Sequence, residues 1–265
     1  MKEHLSKQEQ YLRQQRKNKR LISLMRIVIF VSFFVLWEVS ADLGWIDDFI
    51  FSSPSRMVRC LIRMAGDGSL YGHLGVTLLE TIVSFLLVIG FTLLITILLW
   101  INESVSKTVE PYLVILNSLP KSALAPLLIV WLGGNYKTII VTGMSVAIFG
   151  SILSLYTSFM EVSPDKLKLI QTLGGNRKDI LFKIMIPSNI PSLLSIMKVD
   201  IGLCLVGVII GEFISSRRGL GYLIIYGSQV FKLDWVLMSI IILCIIAMGL
   251  YGIIALAEKR YLKKL

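Results

Sequence analysis

Charged side chains inside apolar stretches are the residues of this sequence that could carry chemistry. Glu80 and Lys121 lie deepest within such stretches, and Pro120 and Pro126 flank Lys121. Because an ammonium group in an apolar segment needs water, a counter-ion or an anionic ligand, Lys121 and Glu80 are candidate residues of a solute pathway. The alternatives are that the Lys121 side chain extends to a membrane surface or pairs with Glu80.

A second group of charged residues lies near the predicted ends of apolar stretches. Side chains at such positions ordinarily reach the membrane surface or pair with an opposite charge. We interpret Glu38, Lys198, Asp200 and Glu212 in this way.

The sequence has no recognisable catalytic or nucleotide-binding motif. Its two histidines, His4 and His73, form no cluster for a metal or a catalytic triad. Its cysteines, Cys60, Cys204 and Cys244, are scattered without metal-ligand spacing. A phosphate-binding loop and a dinucleotide-binding glycine motif are both absent. We therefore predict that the chain is not an enzyme, binds no cofactor and does not hydrolyse ATP itself.

Composition indicates an integral membrane protein. Of 265 residues, 55% are hydrophobic, and the mean hydropathy is +0.76, so lipid must solvate part of the surface. The net charge of +10 does not indicate a nucleic-acid partner, because lysine and arginine are concentrated in the tails and in one loop between apolar segments.

Six apolar segments are predicted to cross the membrane as helices. The third cannot be a straight rod, because Pro120 and Pro126 remove backbone donors within it. In the fourth, Gly143, Ala147 and Gly150 allow close helix packing. Pro54 opens a separate helix whose mixture of arginines and apolar residues is typical of a membrane interface. The six segments cover about 21–41, 74–101, 109–133, 138–160, 189–212 and 235–257.

The distribution of basic residues predicts the orientation. By these boundaries, roughly 18 of the lysines and arginines lie on the side of the N-terminal tail and roughly 7 on the other. This difference predicts that both termini and the polar segment Ser163–Pro191 are cytoplasmic.

The segment Ser163–Pro191 is predicted to form two short helices. Ser163 caps the first, which ends at Gly174 with a left-handed turn and carries an apolar edge. Asn176 caps the second, which ends at Pro187 and can lie on a membrane surface or in a groove of a partner. The apolar edge of the first helix consists of Leu167, Ile170 and Leu173.

The spacing of this segment resembles the cytoplasmic loop of ABC importer permeases, whose motif is Glu-Ala-Ala, three residues, Gly, nine residues, Ile, any residue, Leu, Pro. Gly174, Ile184, Ile186 and Pro187 occupy matching positions, whereas Lys168, Leu169 and Ile170 replace the Glu-Ala-Ala triplet. The resemblance implies a coupling helix that sits in a cleft of an ATPase subunit. It implies coupling roles for Leu167, Lys168, Leu169, Ile170, Leu173, Gly174, Ile184 and Pro187.

Two further motifs resemble the nitrate, sulfonate and taurine subgroup of these permeases: SLPKSALAPLLIVWLG at 118–133 and RRGLGY at 217–222. The resemblance implies an all-α permease of the type I importer class with six transmembrane helices in a bacterial-type cell membrane. It also implies a permease homodimer, two ATPase subunits and an extracytoplasmic solute-binding protein. The implied substrate is a small anion, with a pyrimidine vitamin precursor as the alternative.

Four regions are predicted along the chain. Residues 1–20 form a basic cytoplasmic tail, 21–72 the first transmembrane helix with the interfacial helix, 73–260 the permease core, and 261–265 a second cytoplasmic tail. Two rival classes remain. A membrane-embedded enzyme would need clustered polar catalytic groups. The other rival is an ion-coupled secondary transporter. It would need carboxylates in mid-membrane and usually an inverted repeat, and neither is clear in the sequence.

Overall fold

A computed structural model describes residues 7–263, and within that range the chain forms helices and turns but no strand. A π-helical turn, Leu181–Met185, joins the helix Arg177–Ile180 to the helix Ile186–Ser215 without a break. The helices are α1 (Lys7–Asp42), α2 (Asp48–Phe51), α3 (Pro54–Gly66), α4 (Ser69–Ile101), α5 (Glu103–Ser118), α6 (Lys121–Leu132), α7 (Tyr136–Met160), α8 (Pro164–Thr172), α9 (Arg177–Ile180), α10 (Ile186–Ser215), α11 (Leu220–Gln229) and α12 (Leu233–Leu262).

The long apolar helices fall where the hydropathy of the sequence predicts them. In the described part of the chain, five helices are long and apolar enough to cross a membrane: α1, α4, α7, the continuous α9–α10 and α12. The third predicted segment is the bent pair α5–α6, whose axes meet at 98°. The bend lies at Leu119 and Pro120, whereas Pro126 is accommodated inside α6.

Contacts at the helix ends show that the bent pair α5–α6 crosses the bundle once. At one end, where α4 leads into α5, Arg177 Nη1 donates to the carbonyl oxygen of Ile101 at 3.2 Å. At the other end, a Cβ on Gly134 would lie 3.5 Å from Ser215 Oγ. Since Arg177 and Ser215 mark opposite ends of α9–α10, the pair connects the two ends of the bundle. Counting it as one span gives six spans.

Close contacts between α4, α7 and α10 form the centre of the bundle. A Cβ on Gly207 would lie 2.8 Å from the Cα of Gly143, and a Cβ on Gly143 would lie 2.6 Å from Ser84 Oγ. Ala147 is buried in the same region. The predicted role of small residues in helix packing is therefore confirmed for α7.

One predicted cap and one predicted helix end around the polar segment are wrong. α8 begins directly after Ser163 as predicted, but the Ser163 side chain makes no capping hydrogen bond; only its carbonyl accepts, from the N–H of Lys166 at 3.1 Å. The second helix does not end at Pro187 but continues to Ser215. The missing N–H of Pro187 is tolerated because it follows directly on the π-helical turn, where regular α-helical hydrogen bonding is already interrupted.

Candidate coupling surface and solute pathway

A tight turn at Gly174 ends α8. The N–H of Gly174 donates to the carbonyl of Gln171 at 3.0 Å, and that of Gly175 to the carbonyl of Ile170 at 2.9 Å, which is the Schellman pattern. Gly174 has φ of +77°, as the sequence predicts. Gly175 is required for space, because a Cβ there would lie 2.4 Å from Ile170 Cγ2.

A capping box begins α9 directly after this turn. Asn176 Oδ1 accepts the N–H of Asp179 at 3.0 Å, and Asp179 Oδ2 accepts the N–H of Asn176 at 3.0 Å. Asp179 also pairs with Lys183 at 2.7 Å. Local bonds thus connect α8 to the continuous helix α9–α10 through a short, hydrogen-bonded joint.

The two sides of α8 differ in what they contact. Leu167 and Ile170 pack on a cluster formed by the end of α7, α9 and the π-helical turn. Leu169 and Leu173 point away from this cluster and are 57% and 75% exposed. The predicted apolar edge is therefore correct for Leu167 and Ile170 but wrong for Leu173, which lies on the open side.

The remaining predicted coupling residues are distributed around this joint. Lys168, Gly174 and Pro187 are exposed, and Ile184 is half-buried. The second predicted helix packs Ile180, Leu181 and Met185 on its own bundle, so these side chains are not available to a membrane surface or to a partner's groove. At this joint, the open side of α8 offers Leu169 and Leu173 to a partner, and the π-helical turn offers Phe182, which is 65% exposed.

Lys121 and Glu80 do not pair. The Lys121 ammonium donates to the carbonyl of Asn117 and approaches Asn117 Oδ1 at 3.5 Å. The helix break at Pro120 leaves that carbonyl without its regular helical partner, so the side chain replaces the missing backbone donor. Glu80 instead contacts the Glu212 carboxyl.

Glu212 is held by the turn between α10 and α11. Its Oε1 accepts the Thr77 hydroxyl at 2.7 Å, and its Oε2 accepts the N–H of Gly221 at 2.6 Å. Gly219 has φ of +110°, and a Cβ there would lie 2.3 Å from Glu212 Cδ. Glu212 is completely buried, so the interpretation as a surface-seeking residue is wrong. The glycines of the RRGLGY motif were the available signal, because they allow backbone to approach a buried group.

Glu80 belongs to the same buried cluster. It is 3% exposed, and its Oε2 has no hydrogen-bond partner among the described residues. It lies apart from the cavity described next and is not among the residues that line it. The two predicted pathway residues therefore belong to different groups of side chains: Glu80 lies with Glu212, and Lys121 lies with Asn117.

A cavity of about 330 Å³ opens between α5, α7 and α10. Asp200 lies at its wall, is 2% exposed and accepts the Ser151 hydroxyl at 2.6 Å. The sequence interpretation of Asp200 as a helix-end residue is wrong, because it lies midway along α10. Lys121 does not line the cavity itself, but its ammonium hydrogen-bonds to Asn117, which does. The polar lining consists of Asn117, Ser151, Ser154, Ser195 and Asp200.

Of the two other charged residues, Lys198 pairs with an opposite charge as the sequence predicts, whereas Glu38 is satisfied by a backbone donor. Lys198 pairs with Glu258 of α12 at 2.6 Å, and Ser195 donates to the same carboxylate at 3.0 Å. Glu38 accepts the backbone N–H of Ser55 at 2.9 Å, which connects α1 to the start of α3.

Residues 87–264, more than half of the chain, match the family of binding-protein-dependent transport system inner membrane components. A probable ABC transporter permease of Haemophilus influenzae is 30% identical over 82% of this chain and 88% of its own length. The formylaminopyrimidine transport permease of Halalkalibacterium halodurans is 26% identical over 74% and 77%. A putative aliphatic sulfonates transport permease of Bacillus subtilis is 24% identical over 86% and 83%.

The fold also has a solved counterpart. An inward-facing structure of the MetNI methionine ABC transporter superimposes with a TM-score of 0.60 at 19% identity, covering 74% of this chain and 94% of that one. At this identity the likeness concerns the fold, which is that of a type I importer permease. The family match and the helical architecture lead to one conclusion: the chain belongs to the binding-protein-dependent transport system inner membrane components and is a permease subunit of an ABC importer, not an enzyme.

Proposed function

We propose that the chain forms the solute pathway of an ATP-driven importer and couples to its ATPase subunits through the open side of α8. The observation that carries this proposal is the exposed pair Leu169 and Leu173 beside a rigid joint to α9–α10. Fully burying one leucine contributes about 1.5–3 kcal/mol, so two provide an anchor for a partner cleft. The basic residues Lys166 and Lys168 precede the pair in sequence.

The connection between α8 and the cavity supplies a mechanism. The turn at Gly174 and the capping box of Asn176 leave no flexible linker before α9, and α9–α10 is continuous up to Asp200 at the cavity wall. Closure of the ATPase dimer would move α8, and α10 would transmit this movement to the cavity as a rigid element.

A second copy of the chain completes the proposed pathway. The cavity is bordered on α10 by Val199, which is 61% exposed. A homodimer that covers this face would enclose the cavity between two copies. Two ATPase subunits would then dock on the two α8 surfaces, and an extracytoplasmic solute-binding protein would deliver the solute at the opposite end.

The proposed orientation places both termini and α8 in the cytoplasm, as the basic residues favour. Labelling tests it at Lys166, an exposed residue of α8 that lies outside the capping box. In a variant without native cysteines, Lys166→Cys should react with an impermeant thiol reagent only after cells are opened. Reaction in intact cells would contradict the orientation.

Two substrate classes are supported by the named relatives. The sulfonate permease favours a small anion, in line with the subgroup motifs, and the formylaminopyrimidine permease favours a pyrimidine vitamin precursor. An ion-coupled secondary transporter fits less well, because the family couples transport to a binding protein.

Co-purification tests the coupling surface. In the complex with its ATPase, the double substitution Leu169→Asp, Leu173→Asp should leave membrane insertion normal but abolish ATPase binding in mild detergent. Leu262→Asp is the matched control, since Leu262 is also an exposed leucine, 49% accessible, near the end of α12. An ATPase that stays bound to the double variant would exclude the α8 surface.

A further inference from the structure

A buried acceptor that the protein leaves partly unused lies at the wall of the cavity between α5, α7 and α10. Ser151 donates to Asp200 Oδ1, whereas Asp200 Oδ2 has no hydrogen-bond partner among the described residues. Asp200 is 2% exposed and lies at the wall of the cavity. A buried carboxyl oxygen without a donor is costly, so a ligand that supplies one gains from satisfying it.

The charges around the cavity favour a solute that offers a hydrogen-bond donor over one that offers only acceptors. Of the described residues that line it, none is Lys, Arg or His. Two lysines lie beside the cavity, and both are already engaged: the Lys121 ammonium donates to the Asn117 carbonyl, and Lys198 pairs with Glu258 at 2.6 Å. The other polar lining groups are hydroxyls and an amide, which can orient a solute but do not neutralise an anion.

We infer that Asp200 is a specificity-determining residue of the pathway and binds an N–H donor of the transported solute, an ammonium or an amino group on a heterocycle. The inference rests on the proposed function and narrows both of its substrate classes to solutes that carry an N–H donor. A nitrate or an alkanesulfonate presents only acceptors to the carboxyl and is repelled by it. An aminopyrimidine or an aminosulfonate presents N–H groups that Asp200 can accept.

Direct binding to the permease–ATPase complex in nanodiscs tests the inference without the selectivity of a solute-binding protein. The radiolabelled probes are 4-amino-5-aminomethyl-2-methylpyrimidine, taurine and ethanesulfonate, measured by equilibrium dialysis. Taurine and ethanesulfonate form a matched pair, since ethanesulfonate lacks the ammonium group. We expect the two N–H-bearing probes to bind about tenfold to a hundredfold more tightly than ethanesulfonate, the worth of one hydrogen bond to a charged group. Equal or tighter binding of ethanesulfonate overturns the inference.

Two substitutions separate binding from a purely structural role of the Ser151–Asp200 pair. Asp200→Asn should remove this preference, whereas Ser151→Ala, which keeps the carboxyl, should retain it. Asp42→Asn is the charge-matched control, because Asp42 is exposed at the end of α1. Loss of the preference in both Ser151→Ala and Asp200→Asn would assign the pair to structure and overturn the inference.

The failure of this inference is distinguishable from failure of the proposed function. A chain that does not co-purify with an ATPase subunit contradicts the proposed function before any probe is added. If the complex forms and the wild type prefers ethanesulfonate, only the inference fails. If Asp200→Asn does not assemble, the relative affinity of the wild type for taurine and ethanesulfonate still tests the inference.

Discussion

Two buried carboxyl groups on α10, Glu212 and Asp200, have opposite surroundings. Thr77 and the N–H of Gly221 donate to both oxygens of Glu212, and the Gly219 backbone is packed against it. Asp200 has one donor and borders a cavity. A carboxyl whose acceptors are occupied fixes the structure around it, while one with a free acceptor is available to a ligand. Burial alone therefore does not distinguish a structural acid from a candidate binding acid. A free acceptor beside a cavity marks the candidate, since Glu80 also has a free acceptor but does not line the cavity.

The strongest way to test this comparison is to disturb the backbone around Glu212. Gly219→Ala should destabilise the protein by about 2–5 kcal/mol, the sum of strain at positive φ and overpacking against Glu212. Thermal unfolding of the purified protein measures the effect. Gly249→Ala is the control, because a Cβ on Gly249 meets no atom within 4 Å. Similar unfolding midpoints for the two variants would show that the turn is not tightly packed against Glu212.

The next test exchanges each carboxyl for its amide. Glu212→Gln places an NH₂ group opposite an existing donor and should cost about 1–3 kcal/mol. Asp200→Asn can keep the Ser151 hydrogen bond and should cost less than about 1 kcal/mol. The measurement is again the unfolding midpoint of each variant. A larger loss of stability for Asp200→Asn than for Glu212→Gln would contradict the assignment of a structural role to Glu212 and a binding role to Asp200.

At the cytoplasmic joint, Gly174 allows backbone strain to be varied without a clash. Gly174→Val should cost about 1–2 kcal/mol, since no atom lies within 4 Å of the added Cβ and only the positive φ is unfavourable. We expect normal insertion with strongly reduced solute uptake, because the strained turn in this variant would tilt α8 relative to α9. Gly174→Asn, which tolerates a left-handed conformation, should retain uptake. Full uptake by Gly174→Val would remove this turn from coupling.

The smallest expected effect concerns the separation of Lys121 from Glu80. Since they do not interact, the stability changes of Lys121→Met and Glu80→Gln should add within about 0.5 kcal/mol in the double variant. A double-mutant cycle of unfolding measures this. Recovery of stability in the double variant would contradict the structure and indicate that Lys121 and Glu80 pair. Unaltered transport by a well-assembled Lys121→Met would separately exclude Lys121 from the pathway.

The sequence by itself determined the features that depend on neighbouring residues. Apolar lengths located the transmembrane helices, and Pro120 located the break between α5 and α6. The turn at Gly174 and the cap at Asn176 were predictable because their partners lie within a few residues. Pro187 failed as a helix terminator, since a π-helical turn absorbs it.

Only the tertiary structure decided what the charged residues inside the membrane do. The donor to Glu212 from Thr77 spans 135 residues of sequence, and that from Ser151 to Asp200 spans 49. In a membrane helix, the side that faces lipid and the side that faces protein are both apolar, so periodicity does not reveal which residues meet. The bend at Pro120 turned Lys121 toward Asn117, and packing brought Glu80 to Glu212. The partners of these groups, and hence their roles, follow from the helix contacts alone.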